Sequence, residues 1–422
     1  MTIRLLNHAS ILITHKGLRL VCDPWLEGTA YAQSIGLLAP SIIDYEEFST
    51  VQYIWFSGEQ EDRFSLTTLQ KIPLKYRENI TILHYANFDK KLIIKCQEIG
   101  FLNCIALKSE NWLQLSDDFS IRSEAFGEGA WACFTTHQMS VLHIANTSIR
   151  NNKKGKKILQ KIGGEPEWLL TQSNLKSYIH HFQKTKENLE KKANESIEIF
   201  KEQLELFEPK IVIPISDFKW FCHIENNYLN QYLNPISQFL DIVNQETYGR
   251  TALLFPNDEL EEGIIPKTEQ ALKNWTNIKQ EALKIIQNQP IDITLLQKQI
   301  TVFNKQFSIK SLFFIRKKFQ KTRIYISDYN KSYIIHLQKG LLESLYQKNE
   351  CDVILSSEVL LYCLEFSDGI ERLSQYGRIC ATERKRAYKF YNLFKIRFLY
   401  LRNQPLTMRI LLQILTNKFI TT

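Results

Sequence analysis

A few polar residues in this chain are of types and spacings that can do chemistry. The segment His223-Ile-Glu225-Asn226 sets an imidazole, a carboxylate and a carboxamide within four positions, and Asp217 precedes it. Asp62 is followed at once by Arg63, and two further candidates, His8 and Asp23, stand near the start of the chain. Neutral imidazoles and carboxylates together bind Zn or Fe well. The same groups can also bind a polar ligand directly, and a fixed guanidinium fork favours phosphate or carboxylate. Each residue also has a plainer reading. His8 can fix its loop by a hydrogen bond, Asp23 before Pro24 can cap a loop, and His223–Glu225 can be a simple polar pair. His180-His181 reads as solvated linker, and His137 and His143 as sheet residues.

Composition narrows the setting for these groups. The chain has 422 residues, enough for two or three domains at roughly 150 each. Hydrophobic residues at 44% and charged residues at 23% exclude large-scale disorder. No apolar run reaches the roughly 18 residues of a membrane span, and Asn7 and His8 break the first run before it can serve as a signal peptide. The chain therefore reads as cytoplasmic. The eight cysteines are scattered without a Cys-x-x-Cys or Cys-x-His pair, which excludes a zinc ribbon and a Rieske cluster by spacing. A net charge of +8 is mild for this length and calls for no nucleic acid. Gly163-Gly164 and Gly127-x-Gly129 match no nucleotide-binding loop.

The elements that must position these residues follow from periodicity. Ile3–Leu6, Ser10–Thr14 and Arg19–Cys22 read as short strands, followed by Tyr53–Phe56 and Ile80–His84. A short helix over Leu66–Ile72 opens at Ser65, and another over Lys90–Ile99 ends at Gly100. Further strands are expected at Cys104–Leu107, Trp112–Leu115, Phe119–Ile121, Ala132–Thr136, Val141–Ala145 and Trp168–Thr171. Leu189, Ala193, Ile197, Phe200, Leu204 and Phe207 mark one face of a long helix from about Thr185, closed by Pro209 before a buried strand ending at Pro214. Helices over Thr268–Gln287 and Leu295–Phe307 form a connector. Strands at Leu312–Arg316, Arg323–Ile326, Ser332–His336, Leu341–Tyr346 and Asp352–Leu355, with helices over Ser357–Phe366 and Ile370–Gln375, make a second unit.

Taken in order, these segments resemble the metallo-β-lactamase superfamily. The resemblance rests on Asn7-His-Ala-Ser-Ile-Leu-Ile, on Asp23-Pro-Trp25, and on a strand running into Phe56-Ser-Gly-Glu-Gln-Glu-Asp62-Arg63-Phe64-Ser65. The segment Pro214-Ile-Ser-Asp217 through His223, Glu225, Asn226 and Asn230 is similar to the branch holding the metallo-hydrolase-like part of CMP-N-acetylneuraminate hydroxylases. Those enzymes also carry a Rieske domain, which the cysteine spacing excludes here. The likeness covers residues 1–255, and a weaker one over 310–380, with Gly377-Arg378 near its end, is to small sterol-carrier-like domains.

The superfamily's His-x-His-x-Asp-His signature binds two metals, and this chain departs from it. Aligned on Phe56-Ser57 and Phe64-Ser65, the first histidine is Gly58, the second is Gln60 and the last is Arg63; Asp62 alone matches. The later bridging aspartate falls at Asn146. Glycine offers no ligand and a guanidinium cannot coordinate a metal. The resemblance with these departures implies a lost dinuclear site, a salt bridge of Arg63 with Asp62 replacing the ion, and Zn or Fe only in a rebuilt site.

The resulting expectation is an α+β chain. A metallo-β-lactamase-like αββα sandwich covers 1–256, a helical connector 257–308, and a small α+β, sterol-carrier-like domain with a basic aromatic helical tail 309–422. In that tail Tyr388, Tyr391, Phe394 and Phe398 share one helical face, which suits packing; the basic residues among them would also suit an acidic partner, a membrane surface or RNA. Two functions stay open. One is a pseudoenzyme that binds a polar or anionic ligand or a protein partner; the other is a metal-dependent hydrolase or oxygenase component acting on a sugar- or nucleotide-linked substrate. Ligand contacts are expected from His223, Glu225 and Asn226, with Asp62–Arg63 at the floor and His8 and Asp23 as supports.

Overall fold

The computed structural model describes all residues except 87, 89, 128, 173–185, 246–249, 265–266, 279–282, 307–318, 320, 382, 403, 417 and 420–422. Two seven-stranded sheets dominate it. The first runs, edge to edge, through Glu259–Glu261, Thr2–Asn7, Ser10–His15, Leu18–Cys22, Tyr53–Phe56, Thr81–Tyr85 and Asn103–Leu107. The second runs through Arg250–Thr251, Ile211–Pro214, Trp168–Thr171, Ser140–His143, Gly129–Thr135, Phe119–Phe126 and Leu113–Ser116. Each is antiparallel in one half and parallel in the other. Tight turns suffice for the antiparallel half, whereas parallel neighbours need crossovers.

Helices supply those crossovers: Lys90–Glu98 in the first sheet, and Lys153–Ile162, Lys186–Phe207 and Ile236–Gln245 in the second. A helical crossover packs back on the face of its own sheet, which leaves the opposite faces to meet each other. Trp55 of the first sheet lies edge-on to Phe134 and His143 of the second, at 5.9 and 5.1 Å between ring centroids. Its indole N–H donates to Ser123 Oγ at 3.3 Å. One continuous apolar core joins both sheets, so the sandwich is αββα.

Local chemistry sets the element ends. Ser65 Oγ accepts from the Thr68 N–H, as an N-cap should. Asn152 Oδ1 accepts from Lys154 and Gly155, and Gly163, at φ 87°, closes the same helix in the left-handed region. The long amphipathic helix covers Lys186–Phe207 and buries Leu189, Ile197, Phe200, Leu204 and Phe207. His180, His181 and the strand expected at Leu312–Arg316 lie outside the described residues.

One expected helix is corrected. The helix from Thr268 ends at Thr276, and residues 283–287 are not helical. Ile286 donates to Cys222 O at 2.8 Å and accepts from Ile224 N–H at 2.9 Å. These pairings take the backbone groups that a helical turn would have used.

The C-terminal unit has a four-stranded sheet in the order Gly340–Ser344, Lys331–His336, Lys321–Ile326, Val353–Leu355. The helices Ser357–Glu365, Gly369–Gln375 and Arg384–Leu401 accompany it. The last helix buries Tyr388, Phe390, Leu393, Phe394 and Ile396 in a second core. Arg397, in the same helix, donates to Cys363 O and Leu364 O at 2.9 and 2.7 Å, satisfying carbonyls at the end of Ser357–Glu365. Trp25, Tyr31, Ile35, Phe221 and Leu229 belong to this second core, so segments linking the sandwich strands, including a small sheet of Lys219–Phe221, Ile35–Leu37 and Thr29–Ala30, are packed into the C-terminal unit. Among the described residues no helix is long and apolar enough to cross a membrane.

Candidate functional site

The strand Tyr53–Phe56 delivers its following loop to the seam between the sheets. Ala130 N–H donates to Ser57 O at 2.7 Å, and Gly58 bridges to Gly129. This pins residues 57–64 across the end of the sandwich. Asp62 and Arg63, both fully buried, are carried inward by that loop.

Arg63 lies between two carboxylates. One terminal guanidinium nitrogen is 3.3 Å from Asp62 Oδ2 and donates to Asp62 O at 2.9 Å; Nε is 3.7 Å from Asp23 Oδ2. The other terminal nitrogen donates to Ser216 Oγ. Asp62 also accepts from the Tyr31 hydroxyl and lies 3.7 Å from Lys219 Nζ. Asp23 accepts from the Ser57 N–H at 2.6 Å and from its hydroxyl. His8 Nε2 is 3.6 Å from Asp62 Oδ2, and His143 Nε2 is 3.9 Å from Asp23 Oδ2.

Burial governs the ionisation of this cluster. His8 is pushed down to about 3 by burial, against the attraction of Asp62. His143 is pushed down to about 3 by burial and then by Arg63, so both imidazoles are neutral. Burial lifts Asp23 to about 7, against Arg63 and the Ser57 hydrogen bonds. Burial also lowers Lys219, with Asp62 opposing. For Arg63 burial works against the charge, but Asp62 and Asp23 outweigh it and hold the group above its ordinary value.

The backbone is strained here. His8, Asp23, Tyr31 and Ser216 have φ of 37°, 46°, 60° and 75°, a region that costs non-glycine residues of order 1–3 kcal/mol each. The strain is held by pairings such as Ser216 N–H to His8 O at 2.8 Å and Asp23 N–H to Trp55 O at 2.9 Å.

The remaining positions of the altered motif form an amide pair. Asn146 Nδ2 donates to Ser57 O at 3.0 Å and Gln60 Oε1 at 3.1 Å. A Cβ on Gly58 would stand 1.9 Å from Gln60 Oε1 and 2.3 Å from Asn146 Nδ2. The space beside Gly58 is therefore filled by amides. Among the described residues no group of three or more His, Cys, Asp or Glu is arranged to hold a metal ion.

His223, Glu225 and Asn226 stand at the junction with the C-terminal unit. Asn226 Nδ2 donates to Ser34 O and Tyr376 O, each at 2.9 Å, and its Oδ1 accepts from His223 N–H at 3.1 Å. Glu225 receives Arg378 Nε at 2.7 Å and the hydroxyls of Ser327 and Ser356 at 3.2 and 3.3 Å. His223 is buried, and burial followed by Arg378 pushes it down to about 3. The connection to the Asp62 cluster runs through Tyr376, whose ring stacks on Tyr31 at 4.2 Å. Asp217 is buried on the turn before Lys219.

Lys219, Tyr31, Ser216, Ser57 and Tyr376 join the cluster without having been singled out from the sequence, and His143 joins it from the sheet. Lys219 did carry a signal: it is a lysine inside the apolar run Phe218-Lys-Trp-Phe221.

Above this cluster a cleft of about 290 Å³ separates the sandwich from the C-terminal helices. Glu59, Gln60 and Tyr85 line it from the sandwich, and Arg372, Gln375, Tyr376 and Arg402 from the other side.

The N-terminal unit is an αββα sandwich of two mixed seven-stranded sheets, the arrangement expected from the resemblance of its sequence to metallo-β-lactamases. No family model and no curated protein matches the chain. Solved structures similar to it include a metallo hydrolase from the archaeon Ignicoccus hospitalis, at 12% identity over 61% of this chain and 97% of that one, with a TM-score of 0.42. An isothiocyanate hydrolase from Delia radicum gut bacteria is 14% identical over 62% of this chain and 99% of its own, with a TM-score of 0.43. CmlA, a diiron β-hydroxylase from Streptomyces venezuelae, is 11% identical over 62% of this chain and 54% of its own, with a TM-score of 0.41.

Proposed function

We propose that this chain is a divergent metallo-β-lactamase-fold protein that binds a polar ligand without a metal. One observation carries the reading: the buried guanidinium of Arg63 stands between Asp23 and Asp62. A cation centred there would meet Arg63 first, and like charges in a dry interior repel strongly. Lys219 adds a second basic group beside Asp62, and Asp23 is held at about 7, so the two acids are offset without an ion. The donors do not fit a two-metal centre, because the Gly58 position is filled by the Gln60 and Asn146 amides.

The division into a sandwich and a C-terminal unit belongs to the same proposal, with the sandwich extended past residue 256 to take in its edge strand Glu259–Glu261 and the packed Trp275. A second apolar core, which Leu296, Ile300 and Phe303 join from before residue 309, supports the C-terminal unit.

A second reading, a metal-dependent hydrolase or oxygenase component with a rebuilt site, draws on His8 and His143. Both rings are buried with no hydrogen bond at either nitrogen among the described residues, and both stand near the carboxylates. Metal analysis of the full chain purified without chelators separates the two. Well under one equivalent of Zn, Fe or Mn is expected. About two equivalents, the loading of a dinuclear site, would overturn the metal-free reading.

A further inference from the structure

Most edges of the large sheets are protected against pairing with another chain. Glu259–Glu261, one edge of the first sheet, is three residues long with a glutamate at each end. In the second sheet Arg250–Thr251 is two residues long, and a bulge interrupts the pairing of Leu113–Ser116 with its neighbour. In the C-terminal sheet Gly340–Ser344 carries Glu343, paired with Lys331 at 2.8 Å, and Val353–Leu355 takes a further bridge from Cys380. Shortness, charge, bulges and cover are the devices by which sheet edges avoid unwanted pairing.

Asn103–Leu107, the other edge of the first sheet, has none of them. Its residues Asn-Cys-Ile-Ala-Leu carry no charge and no proline, and they run beside Thr81–Tyr85 without a bulge. Among the described residues no strand pairs with its outer side, and Asn103, Ile105 and Ala106 are exposed. Apolar side chains collect along it. Leu102 is 64% exposed, Ile105 40% and Trp112 36%. Leu74, 53% exposed, lies over Gly100 just before the strand, where an added Cβ would stand 2.4 Å from its Cδ1. These four leave roughly 350 Å² of apolar surface, the size of the largest patch on a typical monomer.

We propose that this edge pairs with the same edge of a second copy of the chain, joining two first sheets into one about a two-fold axis at Ile105. Symmetry, charge and area name the occupant. A two-fold axis reverses the strand, so the new pair is antiparallel and each copy offers the same patch to the other. The helix Lys90–Glu98 is the crossover between Thr81–Tyr85 and Asn103–Leu107 and packs on both. Its symmetry mate would then lie two strand spacings away, roughly 10 Å, which is the distance at which helices pack. The two helices run antiparallel, so the basic N-terminal end of one, with exposed Lys90, meets the C-terminal end of the other, with exposed Glu98 and its open carbonyls. A standard interface takes about 800 Å² per partner, a little over half of it apolar. The patch supplies most of the apolar share, and the strand backbone and helix flank supply the polar share.

The experiment is sedimentation velocity of the full chain over a concentration series up to 100 µM. A species with the mass of two chains is expected, with no larger assembly, because the two-fold uses up the edge. Ile105→Lys puts two like charges on the axis and should leave a monomer with the parent's circular dichroism. Glu98→Lys, at an exposed helix position outside the strand, should weaken the dimer about fivefold, and adding Lys90→Glu to it should restore the parent's affinity. A monomer throughout the series would overturn the proposal. A dimer as tight in Ile105→Lys as in the parent would place the interface elsewhere and overturn this edge. Assembly that keeps growing with concentration, or a double variant no tighter than Glu98→Lys alone, would overturn the antiparallel two-fold.

Discussion

Removing the guanidinium is the sharpest perturbation available. Arg63→Ala would leave Asp62 and Asp23 fully buried and without the cation that lies 3.3 and 3.7 Å from them. It would also strand Ser216 Oγ, which accepts from Arg63. Breaking a buried ion pair by deleting one partner costs about 3–5 kcal/mol, because the other charge stays desolvated. At about 2–4 °C per kcal/mol for a sizeable domain, the melting temperature should fall by roughly 6–20 °C. Urea unfolding followed by circular dichroism measures the loss directly from the shifted midpoint. The pH dependence adds a second reading. Burial holds folded Asp23 at about 7, above its ordinary 3.8, so its contribution to stability is full below the unfolded value and is lost as pH rises through 7. Arg63 lowers that value, so its removal raises it further, and the penalty should be larger at pH 8 than at pH 6, by about 1.4 kcal/mol at most. Asp62→Asn combined with Arg63→Met should recover part of the loss, since it removes one stranded charge. A loss below about 1 kcal/mol at both pH values would refute the premise that this guanidinium stands in for an ion.

Other outcomes follow from the same geometry. Gly58→His, which restores the first position of the signature, should lower stability by about 1–3 kcal/mol and gain no metal, because its Cβ would stand 1.9 Å from Gln60 Oε1; calorimetry and metal analysis check both. Glu225→Ala should cost about 2–3 kcal/mol in urea unfolding, near the low end for a buried pair, since buried Arg378 keeps Glu358 at 3.2 Å. Acid should destabilise the chain between pH 6.5 and about 4. His8, His143 and His223 are each held near 3, so the stability they confer is full above 6.5 and is lost as pH falls. Three such groups outweigh the opposite trend of Asp23 over that window, and urea midpoints at pH 7, 6 and 5 should fall in that order, less steeply in His143→Asn.

Much of the framework was legible in the residues themselves. Strand runs such as Ile211–Pro214 and Tyr53–Phe56 are short and apolar because both faces are covered, and the face of Lys186–Phe207 repeats every three or four residues because one side packs on a sheet. Ser65 and Gly163 mark helix ends through local backbone chemistry that needs no distant partner. That Gly58, Gln60 and Arg63 stand where the resembled signature has histidines can likewise be read position by position. What replaced them could not. Lys219 and Asp62 are 157 residues apart, and Tyr31 and Tyr376 meet only because loops of the sandwich enter the C-terminal core. Asn226 is a ligand contact by expectation, and chain order gives no sign that its carboxamide donates to Ser34 and Tyr376, joining the two units. Sequence carries the periodicities because they arise from neighbours along one element. The cation that balances Asp23 and Asp62, and the cleft above it, were decided only when separate sheets and loops were packed together, since charge pairing and enclosure depend on distances that chain order does not encode.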